Sequence, residues 1–136
     1  MDLSLLDTDI LTEIFKRRNP TVAANATAYL QQQGQFAISA MTRFEVVRGL
    51  RHKRAATSLQ RFESMCVRMF MIPISDDALD RAADLWVDAR DGGHPQRDAD
   101  LIIAATALVH RRTLVTGNTP HYQWINGLSL ADWRTS

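Results

Sequence analysis

The sequence predicts an α/β protein in which a central parallel sheet is covered by helices on both faces. Short apolar runs alternate along the chain with segments whose apolar residues recur at helical spacing. The runs are almost wholly apolar, which is typical of strands buried on both faces. With 136 residues and 46% hydrophobic residues, the chain is expected to form one domain over residues 1–136. This order of elements indicates a three-layer α/β/α sandwich with a central parallel sheet.

The chain begins with two predicted strands and two predicted helices. The first apolar run ends at Asp7, and the residues after it repeat at helical spacing. Gly34 suits a left-handed cap at the end of the second helix. The predicted elements are a strand at Leu3–Leu6, a helix around Ile10–Phe15 that Pro20 ends, a helix at Thr21–Gln33 and a strand at Phe36–Ile38.

The middle of the chain contains a predicted two-helix insertion. Its first helix starts at Thr42, and a basic hinge at Arg51–Arg54 leads into its second helix, at about Ala55–Cys66. The remaining predicted elements are a strand at Phe70–Ile74, an amphipathic helix at Leu79–Ala89 that Gly92–Pro95 ends, a buried helix at Leu101–His110, a strand at Thr113–Thr116 and a last strand at Leu128–Leu130.

The composition excludes several classes of protein. The single cysteine, Cys66, has no second cysteine in the chain with which to form a disulfide or a zinc site. The segment Met1–Ser4 lacks the basic start of a signal peptide, so we expect a cytoplasmic protein. The longest nearly unbroken apolar run, Leu101–Val109, is much shorter than the roughly 20 residues of a membrane-spanning helix. We therefore expect no membrane association.

The charges are segregated although the net charge is only +1. Seven basic residues and two acids lie between Arg43 and Arg68, whereas eight aspartates and three arginines lie between Asp76 and Asp100. Phosphate neutralisation by basic residues supplies most non-specific affinity for nucleic acid. Each run is equally typical of a solvated helix face, so the charge pattern alone assigns no function.

Asp7 follows the first predicted strand, and Asp9 lies two residues later. Ligands of open α/β sheets bind at the carboxyl ends of the strands, which places Asp7 well for chemistry. Asp7 or Thr8 is also a suitable cap for the following helix. Both interpretations stay open for Asp7.

Asp98 and Asp100 lie in the first turn of the buried helix and face nearly opposite directions. We expect Asp100 to line a site, because Ala104 and Ala105 let its helix approach the sheet closely. Asp98 is then expected to be exposed or to cap the helix. Interaction of both acids with the helix dipole is the alternative explanation, and it requires no function.

Glu45 is the third candidate acid. Thr42–Glu45 resembles a capping box, in which the glutamate satisfies the start of the helix. Glu45 is also flanked by Phe44 and Val46, near a buried seam where an unpaired carboxylate is costly. A bound cation would relieve that cost.

Three acids from separate segments suit Mg²⁺ or Mn²⁺, which prefer carboxylate oxygens and bridge to substrate phosphates. Such ions promote phosphodiester cleavage. The four histidines, His52, His94, His110 and His121, show no metal-ligand spacing, and the sequence contains no phosphate-binding glycine loop or nucleophile elbow.

These segments resemble the PIN-domain family and, within it, the VapC-type toxins of bacterial toxin–antitoxin pairs. The resemblance covers nearly the whole chain. It rests on Leu5–Leu11 for the opening strand and first acid, Thr42–Leu50 for the second acid, Asp100–Leu108 for the third-acid helix, Thr113–Thr119 for the following strand and turn, and Ile125–Leu128 with Trp133 near the end.

The resemblance implies that Asp7, Glu45 and Asp100 form a catalytic acidic triad, with Asp7 and Asp100 as metal ligands. It places Thr8, Thr116 and Asn118 beside the triad, as substrate-binding or supporting residues. The family often has a fourth acid where this chain has His121, and a phenylalanine where it has Tyr122. This departure weakens the expectation of a second metal ion.

The resemblance further implies a PIN-like fold with strand order 3-2-1-4-5 and an Mg²⁺-dependent endoribonuclease, with RNA, often transfer RNA, as substrate. It also implies a VapB-like antitoxin as inhibitor. A homodimer is expected as well. The apolar stripe Ala55, Leu59, Phe62 and Cys66 would either form part of a groove for an antitoxin helix or pack the insertion onto the core.

Two other functions fit parts of the sequence. Asp7-Thr8-Asp9 and Thr116 resemble the haloacid dehalogenase pattern of phosphatases, but that chemistry needs a lysine near the later acids, and the chain's only lysines are Lys16 and Lys53. The other alternative is a non-catalytic PIN-like module that binds RNA or protein.

Overall fold

The computed structural model describes residues 1–135. Its strands are β1 (Ser4–Leu6), β2 (Ala37–Ser39), β3 (Phe70–Ile72), β4 (Thr113–Val115) and β5 (Leu130–Ala131). Its helices are α1 (Thr8–Lys16), α2 (Pro20–Gln33), α3 (Ala40–His52), α4 (Ala56–Cys66), α5 (Asp76–Asp91) and α6 (Asp98–Val109), with a short 3-10 helix at Thr119–His121. None of the helices in residues 1–135 has the length and apolar character required to cross a membrane.

The strands are parallel, and their spatial order is 3-2-1-4-5. Regular backbone pairing joins β1 to β4 and β4 to β5, and a separate ladder joins β2 to β3. Strands β1 and β2 lie side by side without a regular ladder between them. The expected strand order is therefore confirmed, with one interruption at the centre of the sheet.

Both faces of the sheet carry a hydrophobic core. Leu5 and Leu114 belong to a cluster with residues of α5 and α6, whereas Leu6 and Val115 belong to a cluster with residues of α1, α2, α3 and α4. Successive residues of a strand point to opposite faces, so neighbouring apolar residues supply the two clusters in turn. This explains why the strands are almost wholly apolar, and it confirms the three-layer architecture.

The start of α3 differs from the prediction. The helix begins at Ala40, and its N-cap is Ser39, whose Oγ accepts a hydrogen bond from Thr42 N at 3.1 Å. The capping-box interpretation of Thr42–Glu45 is therefore wrong, because a serine at the end of β2 satisfies the helix start. The carboxylate of Glu45 has no capping role and is available for other contacts.

Other boundaries shift for local reasons. Helix α1 ends at Lys16 with Arg17 in the left-handed conformation, so Pro20 begins α2 instead of ending α1. Strand β3 stops at Ile72, because Pro73 has no N–H to donate to a ladder. The last strand is Leu130–Ala131, which begins two residues later than the predicted strand at Leu128–Leu130.

The insertion formed by α3 and α4 packs against α1. Phe62 of α4 is fully buried, and its ring meets that of Phe15 edge to face with centroids 5.8 Å apart. Nη2 of Arg43 in α3 donates to both carboxylate oxygens of Glu63 in α4, at 2.8 and 3.0 Å. Phe62 therefore packs the insertion onto the core, and it also fixes the position of α3 beside the sheet.

Candidate active site

Asp7 joins the end of β1 to the start of α1. Its Oδ1 accepts a hydrogen bond from Thr8 N at 2.8 Å, so the side chain caps the helix. Its Oδ2 accepts hydrogen bonds from Thr116 Oγ1 at 2.9 Å and from Tyr122 Oη at 3.2 Å. One carboxylate therefore serves as a cap through one oxygen, while its other oxygen is held at the carboxyl end of the sheet.

Asp7 is buried, and its environment disfavours the charged form. Burial raises its pKa from 3.8 to about 6, and the nearby charges of Asp9 and Asp100 act in the same direction. Hydrogen bonds from Thr116 and Thr8 oppose this rise only in part. The charged form of this carboxylate is therefore destabilised chiefly by the loss of solvent, and in second place by the neighbouring acids.

Tyr122 is a buried contact of this carboxylate. Burial, together with the charges of Asp7 and Asp100, raises the pKa of Tyr122 well above its usual range. Its hydroxyl therefore stays protonated and donates to Asp7. The sequence reasoning noted Tyr122 only as a departure from phenylalanine, and no local pattern pointed to its partner.

Glu45 reaches the same region from α3. Its Oε1 accepts a hydrogen bond from Thr8 Oγ1 at 2.8 Å, and its side chain is only 8% exposed. The guanidinium groups of Arg97 and Arg48 lie 3.5 and 3.6 Å from its Oε2. Thr8, the residue that follows Asp7, thus connects Glu45 to the start of α1.

Asp100 points inward from the first turn of α6, whereas Asp98 is exposed. Arg97 donates to Asp100 Oδ1 at 2.9 Å through Nη2 and to Oδ2 at 3.3 Å through Nε. His121 Nε2 lies 3.2 Å from Asp100 Oδ2. The partners Arg97 and His121 had not been assigned from sequence, although the spacing of Arg97 and Asp100 on one helix is a signal for such a pair.

The turn after β4 closes the site. Thr116 Oγ1, which donates to Asp7, accepts a hydrogen bond from Asn118 N at 3.1 Å. Gly117 N donates to Asp9 Oδ2 at 2.9 Å, and a Cβ on Gly117 would lie 2.7 Å from that oxygen. Asp9 therefore connects α1 to this turn, and a larger residue at position 117 would require the Asp9 carboxylate to shift.

The three acids open onto one pocket of about 440 Å³ at the carboxyl end of the sheet. It is lined by Asp7, Thr8, Asp9, Glu45, Arg97, Asp100, Asn118, His121 and Tyr122. Thr116 lies behind Asp7 and is fully buried. Neither Lys16 nor Lys53 lines the pocket, so the lysine that phosphatase chemistry of the dehalogenase pattern requires is not among its lining residues.

The residues of the pocket fit a hard divalent cation by donor type. Asp7, Glu45 and Asp100 supply carboxylate oxygens, which are the ligands that such an ion prefers. Within residues 1–135, no three His, Cys, Asp or Glu side chains are placed closely enough to hold a metal ion together. The guanidinium of Arg97 bridges Glu45 and Asp100 in this arrangement, so these side chains must shift before they share an ion.

Comparison with known proteins agrees with this architecture. A family model described as PIN domain matches residues 4–123. The chain is 27% identical over 130 residues to the protein named Ribonuclease VapC1 of Methanocaldococcus jannaschii, and the match covers 94% of this chain and 86% of that relative.

Solved structures show the same fold. A chain of a toxin–antitoxin complex from Klebsiella pneumoniae is 29% identical, with a TM-score of 0.76, and the match covers 96% of this chain and 97% of that chain. A chain of VapBC2 from Rickettsia felis, bound to a DNA fragment from their promoter, gives a TM-score of 0.86 at 22% identity, with coverage of 96% and 98%. Since the family model covers residues 4–123, which include β1 to β4, all six α-helices and every acid of the pocket, the chain belongs to the PIN-domain family.

Proposed function

We propose that the chain is a divalent-metal-dependent endoribonuclease and the toxin of a toxin–antitoxin pair. The observation that carries the proposal is the convergence of Asp7, Glu45 and Asp100, from three separate elements, on one open pocket. The relative from Methanocaldococcus jannaschii is named a ribonuclease, which supports RNA as the substrate class. Transfer RNA is the RNA to test first.

The acids have different roles in this proposal. Asp7 and Asp100 hold the ion, Mg²⁺ or alternatively Mn²⁺, and Glu45 completes the catalytic triad. When bound, such an ion lowers the pKa of water, orients the scissile phosphate and stabilises the leaving oxygen. Thr8 holds Glu45, and Thr116 holds Asp7, through the hydrogen bonds already described.

The rim of the pocket suits a phosphate backbone. Arg97 is 64% exposed and Arg48 is 54% exposed at their side chains, and both lie beside Glu45. His121, next to Asp100, and Asn118, in the turn after β4, also line the pocket. These groups are placed to bind RNA phosphates next to the acids, despite a net charge of only +1.

We propose a VapB-like antitoxin as the partner, because the chain resembles a component of a solved toxin–antitoxin complex. An apolar groove of about 350 Å³ lies between α1, α3 and α4. Its apolar lining includes Leu11, Phe15, Val46, Leu50 and Phe62, and its basic residues are Lys16, Lys53 and Arg61. An amphipathic antitoxin helix with acidic flanks fits such a groove. The free thiol of Cys66 suits a reducing compartment, so the proposed location is the cytoplasm.

The nuclease proposal is tested with the purified chain, free of any partner, on total small RNA with Mg²⁺, with Mn²⁺ and with EDTA. Wild type is compared with Asp7→Asn and Asp100→Asn, and Asp98→Asn is the matched control because Asp98 is exposed on the same turn of α6. We expect discrete metal-dependent fragments from wild type and Asp98→Asn. Asp7→Asn and Asp100→Asn should lose more than about a hundredfold, because partners that merely orient metal ligands commonly contribute roughly 10- to 100-fold.

The opposite result has a clear meaning. If no RNA is cut with either ion while RNA affinity persists in all four proteins, the chain is a binding module and the catalytic proposal is wrong. Release of phosphate from a small aryl phosphate, without cleavage of RNA, would instead establish the phosphatase alternative.

The partner proposal is tested by expressing the tagged chain in its native host. We expect a small protein to co-purify in stoichiometric amounts and to suppress RNA cleavage until it is removed. Leu50→Glu, which places a charge in the groove, should release that protein, whereas Leu79→Glu on the exposed face of α5 should retain it. Equal retention by both variants would rule out this groove as the docking site. Light scattering of the isolated chain tests the expected homodimer.

A further inference from the structure

Arg97 is the only arginine or lysine among the residues that line the pocket. It lies at the N-cap position of α6, and its side chain makes no capping hydrogen bond. Its guanidinium instead pairs side-on with Asp100, at 2.9 and 3.3 Å, and reaches Glu45 Oε2 at 3.5 Å. One cationic group therefore bridges acids that belong to two different helices.

Those acids need a counterion. The side chains of Glu45 and Asp100 are 8% and 13% exposed, so water screens their repulsion poorly. The guanidinium of Arg97 is always charged in a protein. Arg48 lies 3.6 Å from Glu45 alone, whereas Arg97 is the arginine that pairs with both carboxylates when no metal ion is bound.

The same contacts keep the acids in an arrangement unsuited to metal. A small divalent cation requires oxygens at about 2.0–2.1 Å, which brings neighbouring ligand oxygens to roughly 3 Å from each other. The guanidinium of Arg97 contacts both carboxylates and so occupies space that a shared ion would need. Within residues 1–135, no group of three potential ligands is close enough to hold an ion.

The side chain of Arg97 can also rotate away from the two acids. Its side chain is 64% exposed, so rotation into solvent breaks only hydrogen bonds that water can replace. Asp7, by contrast, is buried and fixed by three donors. One pocket thus contains an exposed guanidinium that can be displaced and a buried carboxylate that is held in place.

We propose that Arg97 is the built-in counterion of the acidic site, and that a divalent cation must displace it from Glu45 and Asp100 to bind. Arg97 is then a positioning residue that sets the metal affinity of the chain. The inference rests on the metal dependence proposed above. Arg97 and the metal ion then compete for the same carboxylates within this chain, and no partner protein is needed.

The test is a calorimetric titration of the purified chain with Mn²⁺ alone, which does not depend on RNA cleavage. Arg97→Gln should bind Mn²⁺ about three- to tenfold more tightly than wild type, the range expected when partly exposed ion pairs no longer compete. Arg97→Lys should lie between them, because lysine keeps the charge and loses the bidentate geometry. Arg43→Gln is the matched control, since Arg43 pairs with Glu63 away from the pocket, and it should bind as wild type does.

Thermal unfolding provides the second measurement. In EDTA, Arg97→Gln should unfold at a lower temperature than wild type, because its acids repel each other without a counterion. Saturating Mn²⁺ should then raise its Tm more than it raises that of wild type. Affinity in Arg97→Gln that is equal to or weaker than wild type overturns the inference and leaves the metal site intact. Absence of Mn²⁺ binding in wild type and in every variant refutes the metal-dependent function itself.

Discussion

The hydroxyl of Tyr122 donates a hydrogen bond of 3.2 Å to Asp7 Oδ2, across 115 positions of the sequence. Thr116 donates to the same oxygen, so two hydroxyls from the segment after β4 orient the first acid of the chain. Both donors favour the carboxylate over the neutral acid. Desolvation of the buried carboxylate has the opposite effect and prevails, so the pKa of Asp7 is raised to about 6.

Asp7→Asn should stabilise the metal-free protein at neutral pH. The pKa of Asp7 is about 6 in the folded chain, against 3.8 in the absence of burial, so the folded state binds the proton more tightly between these values. The free energy of unfolding in EDTA should therefore fall as pH rises from about 4 to about 6, by up to about 3 kcal/mol. Asp7→Asn should lack this part of the fall. Urea denaturation across this range, with Asp98→Asn as control, measures it; an unchanged slope in Asp7→Asn would exclude the raised pKa.

Metal affinity should depend on the same proton. Below pH 6 a proton competes with the ion for the carboxylate of Asp7, so Mn²⁺ affinity should decrease about tenfold for each further pH unit. Titrations at pH 5 and 7.5 in wild type provide the comparison. Equal affinity at the two values would show that Asp7 is not a ligand.

Tyr122→Phe should lower the free energy of unfolding by about 1 kcal/mol at pH 7.5, the usual contribution of one hydrogen bond. The loss should be smaller near pH 5, where Asp7 is protonated and needs the donor less. Tyr29→Phe is a matched control, because the hydroxyl of Tyr29 is buried and accepts from Ser4 N outside the pocket. Both variants should lose stability, but only Tyr122→Phe should change metal affinity.

Thr8→Val should reduce RNA cleavage about tenfold, because a hydrogen bond to a charged group contributes roughly 1.5 kcal/mol or more. Valine keeps the shape of the side chain and removes the donor to Glu45. Thr8→Ser keeps the donor and should retain most activity. The test compares the cleavage rates of the two variants at one metal concentration. Equal rates would show that the hydrogen bond from Thr8 to Glu45 is not needed for cleavage.

His121→Asp should increase Mn²⁺ affinity or add a second bound ion. His121 Nε2 lies 3.2 Å from Asp100 Oδ2, so a carboxylate introduced there would enter the same pocket as the other acids. His121→Asn has the size of the aspartate variant without its charge and is the control. Calorimetric stoichiometry distinguishes the two; identical binding by both variants would place position 121 outside the metal site.

The sequence predicted the elements because their signals are local. Apolar runs and helical spacing arise from neighbouring residues, so the layers could be expected from the order of the elements. The direction of Asp100 could be expected from the burial of α6. The start of α3 was predicted wrongly because two residues, Ser39 and Thr42, both suit a cap, and the end of β2 decides between them.

The partners of the acids could not be predicted in the same way. Tyr122 and Asp7 meet only after β4 is placed beside β1, and Arg97 reaches Glu45 only after α6 is packed against α3. Such contacts depend on the positions of whole elements. No pattern within a short segment encodes them.

The missing ladder between β1 and β2 divides the acids between two half-sheets. Glu45 follows β2 through α3 and belongs with β3, whereas Asp7 ends β1, whose ladder leads to β4 and β5. Only packing and side-chain contacts, such as that of Thr8 with Glu45, set the distance across this seam. The separation of Glu45 from Asp7 therefore depends on how α3 packs beside α1, and not on backbone pairing within one continuous sheet.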